Sequence, residues 1–214
     1  MLAFIGGTGP EGRGLALRMA MAGEEAVIGS RDTARGQAVA AELATMRLGL
    51  NIRGADNVGA ASAADVVFIC VPYDGHRATL EALRQHLEGK LLVDVVAPLA
   101  FARGRARAVA VEEGSAAQQA QTLVPTAKVV GAFQNLSAED LLVPDKSLDC
   151  DVVVCADDQD AKQRILALAE KIKGVRAVDG GPLECARYVE QLTALLININ
   201  RTYKAHSSVR ITGI

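Results

Sequence analysis

Leu2-Ala-Phe-Ile-Gly-Gly-Thr-Gly-Pro-Glu-Gly12 decides how this chain folds. Leu2 to Ile5 is an apolar run of strand length, the glycines follow at once, and Leu15, Leu17, Met19 and Met21 open a helical stretch. The order is strand, glycine turn, helix. Gly7, Gly9 and Gly12 match G-x-G-x-x-G, in which the first glycine permits the tight turn, the second admits a pyrophosphate close to backbone, and the third lets helix pack on strand. The free N–H groups and the positive dipole end of that helix face the anion. Pro10 suits a first helical turn, where its missing N–H has no intrahelical partner to lose.

A glycine turn alone is a weak signal, and the next strand strengthens it. About twenty residues on, where an NAD-binding unit carries a carboxylate for the ribose 2′-hydroxyl, Ala26-Val-Ile-Gly29 ends in Ser30-Arg31. A carboxylate there repels a 2′-phosphate, whereas Arg31 forks onto it and Ser30 donates a hydrogen bond. The expected dinucleotide is therefore NADP(H). Arg35, four residues after Arg31, falls on the same face of the following helix and reads as a second clamp. The competing reading of both arginines is a solvated surface charge.

Composition narrows the class. The 214 residues, 50% of them hydrophobic, suffice for one good-sized domain and an appendage. Aromatics are 3% with no tryptophan, which argues against base-stacking platforms for nucleic acid. The formal charge of -2, with both signs mixed along the chain, calls for no polyanionic or membrane partner. A strand beginning at residue 2 leaves no room for a signal peptide, and no apolar run approaches membrane-spanning length, so a cytoplasmic location is expected. Cys70, Cys150, Cys155 and Cys185 form no C-x-x-C pair and have no histidine at ligand spacing, so neither zinc nor a disulfide framework is indicated. Cys70 reads as a small core residue. His76, His86 and His206 are isolated; His76 draws attention by its position.

The α/β rhythm continues to residue 179. Helices are expected at about 13 to 22 and 32 to 47, the second capped by Asp32, then a short strand or loop over 48 to 54 and a short helix over 57 to 64. Asp65-Val-Val-Phe-Ile-Cys-Val-Pro72 is the pattern of a central parallel strand, stopped by its proline. Ligands lie beyond the carboxyl ends of such strands, which puts Val71, Pro72, Tyr73 and His76 along the cofactor. A helix over 75 to 88 and a strand over 90 to 96 follow, with Asp94 expected near the strand's end or at the sheet's edge, and then Ala97-Pro98. Arg103, Arg105 and Arg107 read as a solvated basic loop. Further elements are a helix over 115 to 123, strands over 128 to 133, 151 to 155 and 175 to 179, and a helix at about 160 to 172. Asp157-Asp158 reads as a helix cap in preference to a metal site. After the break at Gly180-Gly181-Pro182, residues 185 to 203 form a helix with a wide apolar face.

Gly6-Gly-Thr-Gly9, Gly29-Ser-Arg31, Val71-Pro72, Lys128-Val-Val130, Gly180-Gly-Pro-Leu183 and Val189-Glu-Gln-Leu-Thr193, taken in order over the whole chain, resemble the NADPH-dependent reductases of coenzyme F420, an 8-hydroxy-5-deazaflavin. The resemblance implies a Rossmann-type doubly wound, mostly parallel sheet with extra strands and a small C-terminal helical domain. The division expected is 1 to 181 for the NADP-binding domain and 182 to 214 for the segment completing the cleft, usually within a homodimer. It places Gly7, Thr8, Gly9, Pro10, Glu11 and Gly12 at the pyrophosphate and Ser30, Arg31 and Arg35 at the 2′-phosphate, with Ala97 and Ala138 completing the cofactor contacts. F420 is expected in the crevice near Asn135, Leu136, Ala138, Thr193 and Val209. Leu136 would set ring separation and Thr193 would hydrogen-bond a ring edge. No acid or base is required, because hydride transfer between two cofactors rests on alignment and exclusion of water. The chain departs from the family pattern at Glu11, commonly apolar, whose charge beside a pyrophosphate weakens binding unless it turns to solvent. It departs again at Gln134, often histidine, and in the tail Ser207 to Thr212.

Two other readings stand beside this one. An NADPH-dependent reductase of a flavin, a ferric chelate or a small imine uses the same module, although no proton donor for imine chemistry is evident. A non-catalytic NADPH-binding sensor uses the same fingerprint.

Overall fold

The computed structural model describes residues 1–214. Strand β1 (Leu2–Ile5) is buried at every position, and its two neighbours, β2 (Ala26–Ser30) and β4 (Val66–Ile69), run parallel to it with Ala3 opposite both Val27 and Val67. Helices cover both faces of the sheet, which is why the strands read as continuous apolar runs instead of alternating. Leu2, Phe4 and Phe68 face one core, and Ala3, Ile5, Val67 and Ile69 the other. Phe4 stacks on Phe68 at 4.7 Å between ring centroids, and Phe68 meets Phe133 at 5.7 Å.

Eight strands form the sheet. With β3 (Ile52–Asp56), β5 (Leu91–Asp94), β8 (Lys128–Gly131), β9 (Cys150–Ala156) and β10 (Val175–Asp179), the order is β10-β9-β8-β5-β4-β1-β2-β3. All pairings are parallel except β8 with β9, joined through Val130↔Ala156 and Gly131↔Cys155. The chain winds from β1 outward to β3, then returns to the other side of β1 as β4. The strand order reverses between β1 and β4, and ligands bind at the carboxyl ends of such a switch point.

Local chemistry sets the helix ends. Helix α1 (Pro10–Met21) starts at its proline, three residues before the expected start, because Pro10 already has helical φ at N1. Asp32 caps α2 (Thr33–Met46) by accepting from the Ala34 and Arg35 N–H groups, and Ser115 caps α5 (Ala116–Leu123) by accepting from Gln118. Helix α3 (Asn57–Ala63) leads into β4, and α4 (Tyr73–Leu87) opens directly behind Pro72. Asp158 caps α7 (Gln159–Glu170) and pairs with Lys128, while Asp157 accepts from the Leu183 N–H.

Two segments correct the sequence reading. Residues 99–108 are a hairpin of β6 (Leu99–Ala102) and β7 (Arg105–Ala108), not a solvated basic loop. Its turn residues, Arg103 at φ 49° and Gly104 at φ 71°, are both left-handed, the conformation a two-residue hairpin turn needs, and the arginines alternate with buried Ala106 at strand period. A short helix, α6 (Ala138–Leu141), had no expectation attached to it. Beyond a 3-10 turn at Leu183–Cys185, α8 (Ala186–Tyr203) packs on α5, β9 and the hairpin, where Asn198 exchanges two hydrogen bonds with the Ala106 backbone at 2.9 and 3.0 Å.

Candidate active site

The glycine turn divides its three positions as the fingerprint requires. A Cβ on Gly7 would lie 2.6 Å from the Phe4 carbonyl oxygen, and one on Gly12 2.7 Å from the Gly7 Cα, so both are closed against backbone. A Cβ on Gly9 would meet nothing nearer than the Gly6 oxygen at 3.7 Å, so the turn is open there. Gly6, at φ 72° and pressed against Val71, takes the left-handed bend. Gly9 supplies no side-chain cap, so the first-turn N–H groups of α1 are free for an external anion. Thr8 is half-buried and Pro10 exposed.

The tip of β2 lies beside this turn. Ser30 is buried and its Oγ accepts from the Asp32 N–H, which fixes the approach to α2. Arg31 and Arg35 are exposed and enter no ion pair. Two unpaired guanidiniums, one just before the α2 cap and one in the first turn of α2, next to an open glycine cradle, fit a dinucleotide that carries a further phosphate.

Across the switch point stand Val71, half-buried, Pro72, exposed, and Tyr73, half-buried, with Ala97 beyond the end of β5. His76 corrects the expectation that it lines the cofactor. Its ring is fully buried, with Nε2 2.6 Å from Asp94 Oδ2 and Nδ1 2.9 Å from Gln119 Oε1. Tyr73 stacks on it at 6.1 Å between ring centroids. Asp94 itself ends a central strand and not an edge strand, and Val96 N–H donates to its Oδ1.

At the far side of the crevice, β8 is followed by the buried residues Phe133 to Leu136. Asn135 donates from Nδ2 to the Val189 carbonyl and to Thr193 Oγ1, both at 3.0 Å, and Thr193 donates to the Gln134 carbonyl at 3.2 Å. These polar groups dock α8 onto β8, and the Thr193 donor expected at a ring edge is engaged there. Ala138 is half-buried at the start of α6. Next to Leu136 a recess of about 270 Å³ is lined by Ser137, Lys146, Cys150, His206 and Ser208. The C-terminal tail forms one side of it, since the Asp151 N–H donates to the Val209 carbonyl at 2.7 Å.

Residues 1–98 match the family described as NADP oxidoreductase, coenzyme F420-dependent. The F420-dependent NADP reductase of Methanothermobacter thermautotrophicus is 41% identical over 100% of this chain and 95% of its own length. That of Methanocaldococcus jannaschii is 38% identical over 100% of this chain and 98% of its own. The chain belongs to the F420-dependent NADP reductase family. It is accordingly an NADP-linked oxidoreductase with coenzyme F420 as co-substrate. A crystal structure from Arthrobacter sp. FB24, provisionally described as a reductase of this family, superposes with a TM-score of 0.84 at 27% identity, covering 99% of each chain. No helix is long and apolar enough to cross a membrane.

Several residues of this family member that organise the site escaped the sequence reading. Buried Arg18 on α1 donates to the carbonyls of Asp140, Leu141, Val143 and Lys146, which ties α6 and its following loop to the cofactor helix. Its sequence signal was a lone charge within the apolar stretch Leu15 to Met21. Buried Glu190 on α8 accepts from the N–H groups of Ala116 and Ala117 at 2.8 and 3.1 Å, bolting α8 to the start of α5. Burial and the Asp94 carboxylate push its acid up to about 8, against the pull of those two amides and of His76. Burial opposes the His76 imidazolium, but the charge of Asp94 and hydrogen bonds to Asp94 and Gln119 outweigh it and raise that pKa to about 8.

Both shifts act in one direction on stability. A raised histidine contributes fully below its unfolded pKa of about 6.5 and loses that contribution as pH rises through 8; a raised carboxyl acid likewise loses stability between its unfolded pKa and 8. The protein without ligands is therefore expected to unfold at lower urea concentration at pH 9 than at pH 6.5, and His76→Gln to reduce the difference. Equal midpoints at the two pH values would refute this.

Proposed function

We propose that hydride passes directly between the nicotinamide of NADP(H) and the deazaflavin of F420 in the crevice that runs from the glycine turn to Leu136. The observations that carry this reading are the two unpaired arginines at the tip of β2, the open Gly9 cradle between β1 and α1, and the tail-walled recess beside Leu136. Gly7, Thr8, Gly9, Pro10, Glu11 and Gly12 hold the pyrophosphate, and Ser30, Arg31 and Arg35 the 2′-phosphate. Val71, Pro72, Tyr73, Ala97 and Ala138 flank the nicotinamide half. Asn135, Leu136, Thr193 and Val209 form the deazaflavin side, Asn135 and Thr193 by holding α8 and Leu136 in place. NADP(H) supplies the hydride chemistry; the chain supplies alignment and a water-poor crevice.

Mixing the protein with NADPH and oxidised F420 tests this, and bleaching of the deazaflavin's visible absorbance is expected. Reduction of a flavin, with F420 left untouched, would overturn it. Arg31→Glu is expected to weaken NADPH binding relative to NADH by about 1.5–3 kcal/mol, roughly 10- to 100-fold, by removing a charge-assisted pair and adding repulsion. An unchanged NADPH to NADH ratio would remove Arg31 from the phosphate site.

A second copy of the chain completes the proposal. Tyr188, Leu192, Leu195, Ile199 and Tyr203 recur at helical spacing along one side of α8; Tyr188, Leu195 and Tyr203 are 66%, 55% and 75% exposed, and Phe101 of the hairpin beside them is 68% exposed. An apolar stripe of that length suits a homodimer. Light scattering is expected to give twice 22.4 kDa, and Leu195→Asp to give the monomer. A monomeric wild type would refute it. The reading carries a cytoplasmic location, consistent with four unpaired cysteines.

A further inference from the structure

Glu11 is the second residue of α1, directly beside the open Gly9 cradle. It does not turn to solvent. Its side chain is half-buried, and Oε1 lies out of reach of water with no hydrogen-bond partner. The charged groups around it are engaged elsewhere or stand apart: Arg13 pairs with Glu42 of α2, Asp140 on α6 with Lys146, and Asp56 at the tip of β3 caps α3. Arg31, at the tip of β2, forms no ion pair with it, and at the end of β4 the pKa of the Cys70 thiol is raised by burial and by the charges of Glu11 and Asp94. No cation neutralises Glu11.

An ionised carboxylate in this position would have one oxygen out of reach of water, no partner of opposite charge, and a pyrophosphate competing for the same helix end. Each of those is unfavourable, and burial accordingly pushes the Glu11 acid up to about 8. A neutral carboxyl is a different group. It has an O–H to donate, and a pyrophosphate is an acceptor without a donor of its own.

We propose that Glu11 serves the dinucleotide as a neutral acid, its O–H donating to a pyrophosphate oxygen, so that binding of NADP(H) is coupled to retention or uptake of one proton at this carboxyl. Where Glu11 is ionised in the free protein, the proton comes from solvent as the dinucleotide enters. No bond other than the O–H is made. The coupling turns a residue that would repel the cofactor into one that holds it, and it makes affinity fall as the solution becomes alkaline. The inference rests on the pyrophosphate lying over the glycine turn, as proposed above.

Calorimetric titration of the full-length protein with NADPH tests it between pH 7.5 and 9.5, above the range in which the 2′-phosphate titrates, at about 6. At pH 8.5, comparison of buffers with different ionisation enthalpies is expected to show uptake of most of one proton, and the dissociation constant is expected to rise about tenfold per pH unit above 8. Glu11→Gln keeps a donor but cannot titrate. It is expected to bind NADPH with no proton uptake from this position and with nearly flat affinity over the range. His76 and Glu190, which also titrate near 8, are present in both proteins, so the difference between them isolates Glu11. Uptake by Glu11→Gln equal to that of wild type, or no uptake by wild type, overturns the proposal. Should Glu11→Gln not fold, the carboxyl carbon resonance of Glu11 in NADPH-saturated wild type reads the same quantity. It is expected to keep its neutral-acid shift past pH 9, and an ionised shift at pH 8 overturns the proposal. Gly9→Val distinguishes the pyrophosphate's position from the role of Glu11. Unchanged NADPH affinity there would remove the pyrophosphate from the turn and the inference with it. Lost affinity in Gly9→Val beside unaltered proton uptake in Glu11→Gln would leave the placement standing and refute Glu11 alone.

Discussion

Gly12→Val is expected to bind NADPH at least about 100-fold more weakly than wild type, a loss of about 2.7 kcal/mol. The first atom added at that position lies 2.7 Å from the Gly7 Cα and 3.1 Å from the Cys70 Cβ. Neither neighbour can give way, since one is the backbone of the turn and the other belongs to the end of a central strand. The helix must retreat, and the amides that face the anion retreat with it. Misplacement of binding groups by about 1 Å is enough for a hundredfold effect, and overpacking of this kind also lowers stability by about 1–3 kcal/mol. Equilibrium titration of NADPH fluorescence, with denaturation measured alongside, checks both numbers. A folded Gly12→Val protein of unaltered affinity would mean that the dinucleotide does not depend on this turn.

Asp151→Asn is expected to release the C-terminal tail and with it the deazaflavin side of the crevice. Asp151 is buried at the start of β9, where it takes two bonds from Arg176, one from Arg210 and one from the Ile211 N–H. Arg176 also reaches the carbonyls of Ile211 and Ile214. Those guanidiniums hold the Asp151 acid far below the usual carboxylate range. Removing the charge leaves two arginines facing a neutral amide. A broken buried pair costs about 3–5 kcal/mol, and the low end applies because both arginines keep access to water. Because the folded pKa is depressed, this contribution is complete above about pH 4 and is lost as the solution becomes more acid. The expected result is a loss of about 3 kcal/mol at neutral pH, F420 affinity lowered at least tenfold, and NADPH affinity within twofold of wild type. Trypsin cleavage after Arg210 in the variant, absent in wild type, reports the tail directly. Retained F420 affinity with a released tail would move the deazaflavin away from Val209.

The nucleotide half was legible because its chemistry is local. A turn that brings backbone against backbone requires glycine at particular positions, so Gly7, Gly9 and Gly12 reveal their roles through spacing alone. The doubly buried strands were equally plain, being apolar without interruption. The hairpin at 99–108 was misread because Arg105 and Arg107 drew attention as charges, while the information lay in their alternation with alanine. His76 was misplaced for a different reason. Sequence puts it at the carboxyl end of a central strand, but the first turn of α4 directs it inward to Asp94, and helix phase at that resolution is not fixed by residue type. The side of the crevice formed by α8 and the tail was nearly silent in its contacts: Asn135, Thr193, Glu190 and Asp151 act on partners 25 to 74 residues away, and such pairings leave no pattern in a single sequence.

The antiparallel seam has a dynamic consequence. β9 is stitched to β8 through Val130↔Ala156 and Gly131↔Cys155, whereas every parallel neighbour pair is in register along its length. Sub-global opening is favoured where the ladder is shortest, so amide exchange in β9, β10 and the tail is expected to run ahead of exchange in β1, β2 and β4. With F420 beside the tail and NADP(H) over the glycine turn, as proposed above, the enzyme would loosen its grip on one redox partner while the other stays seated.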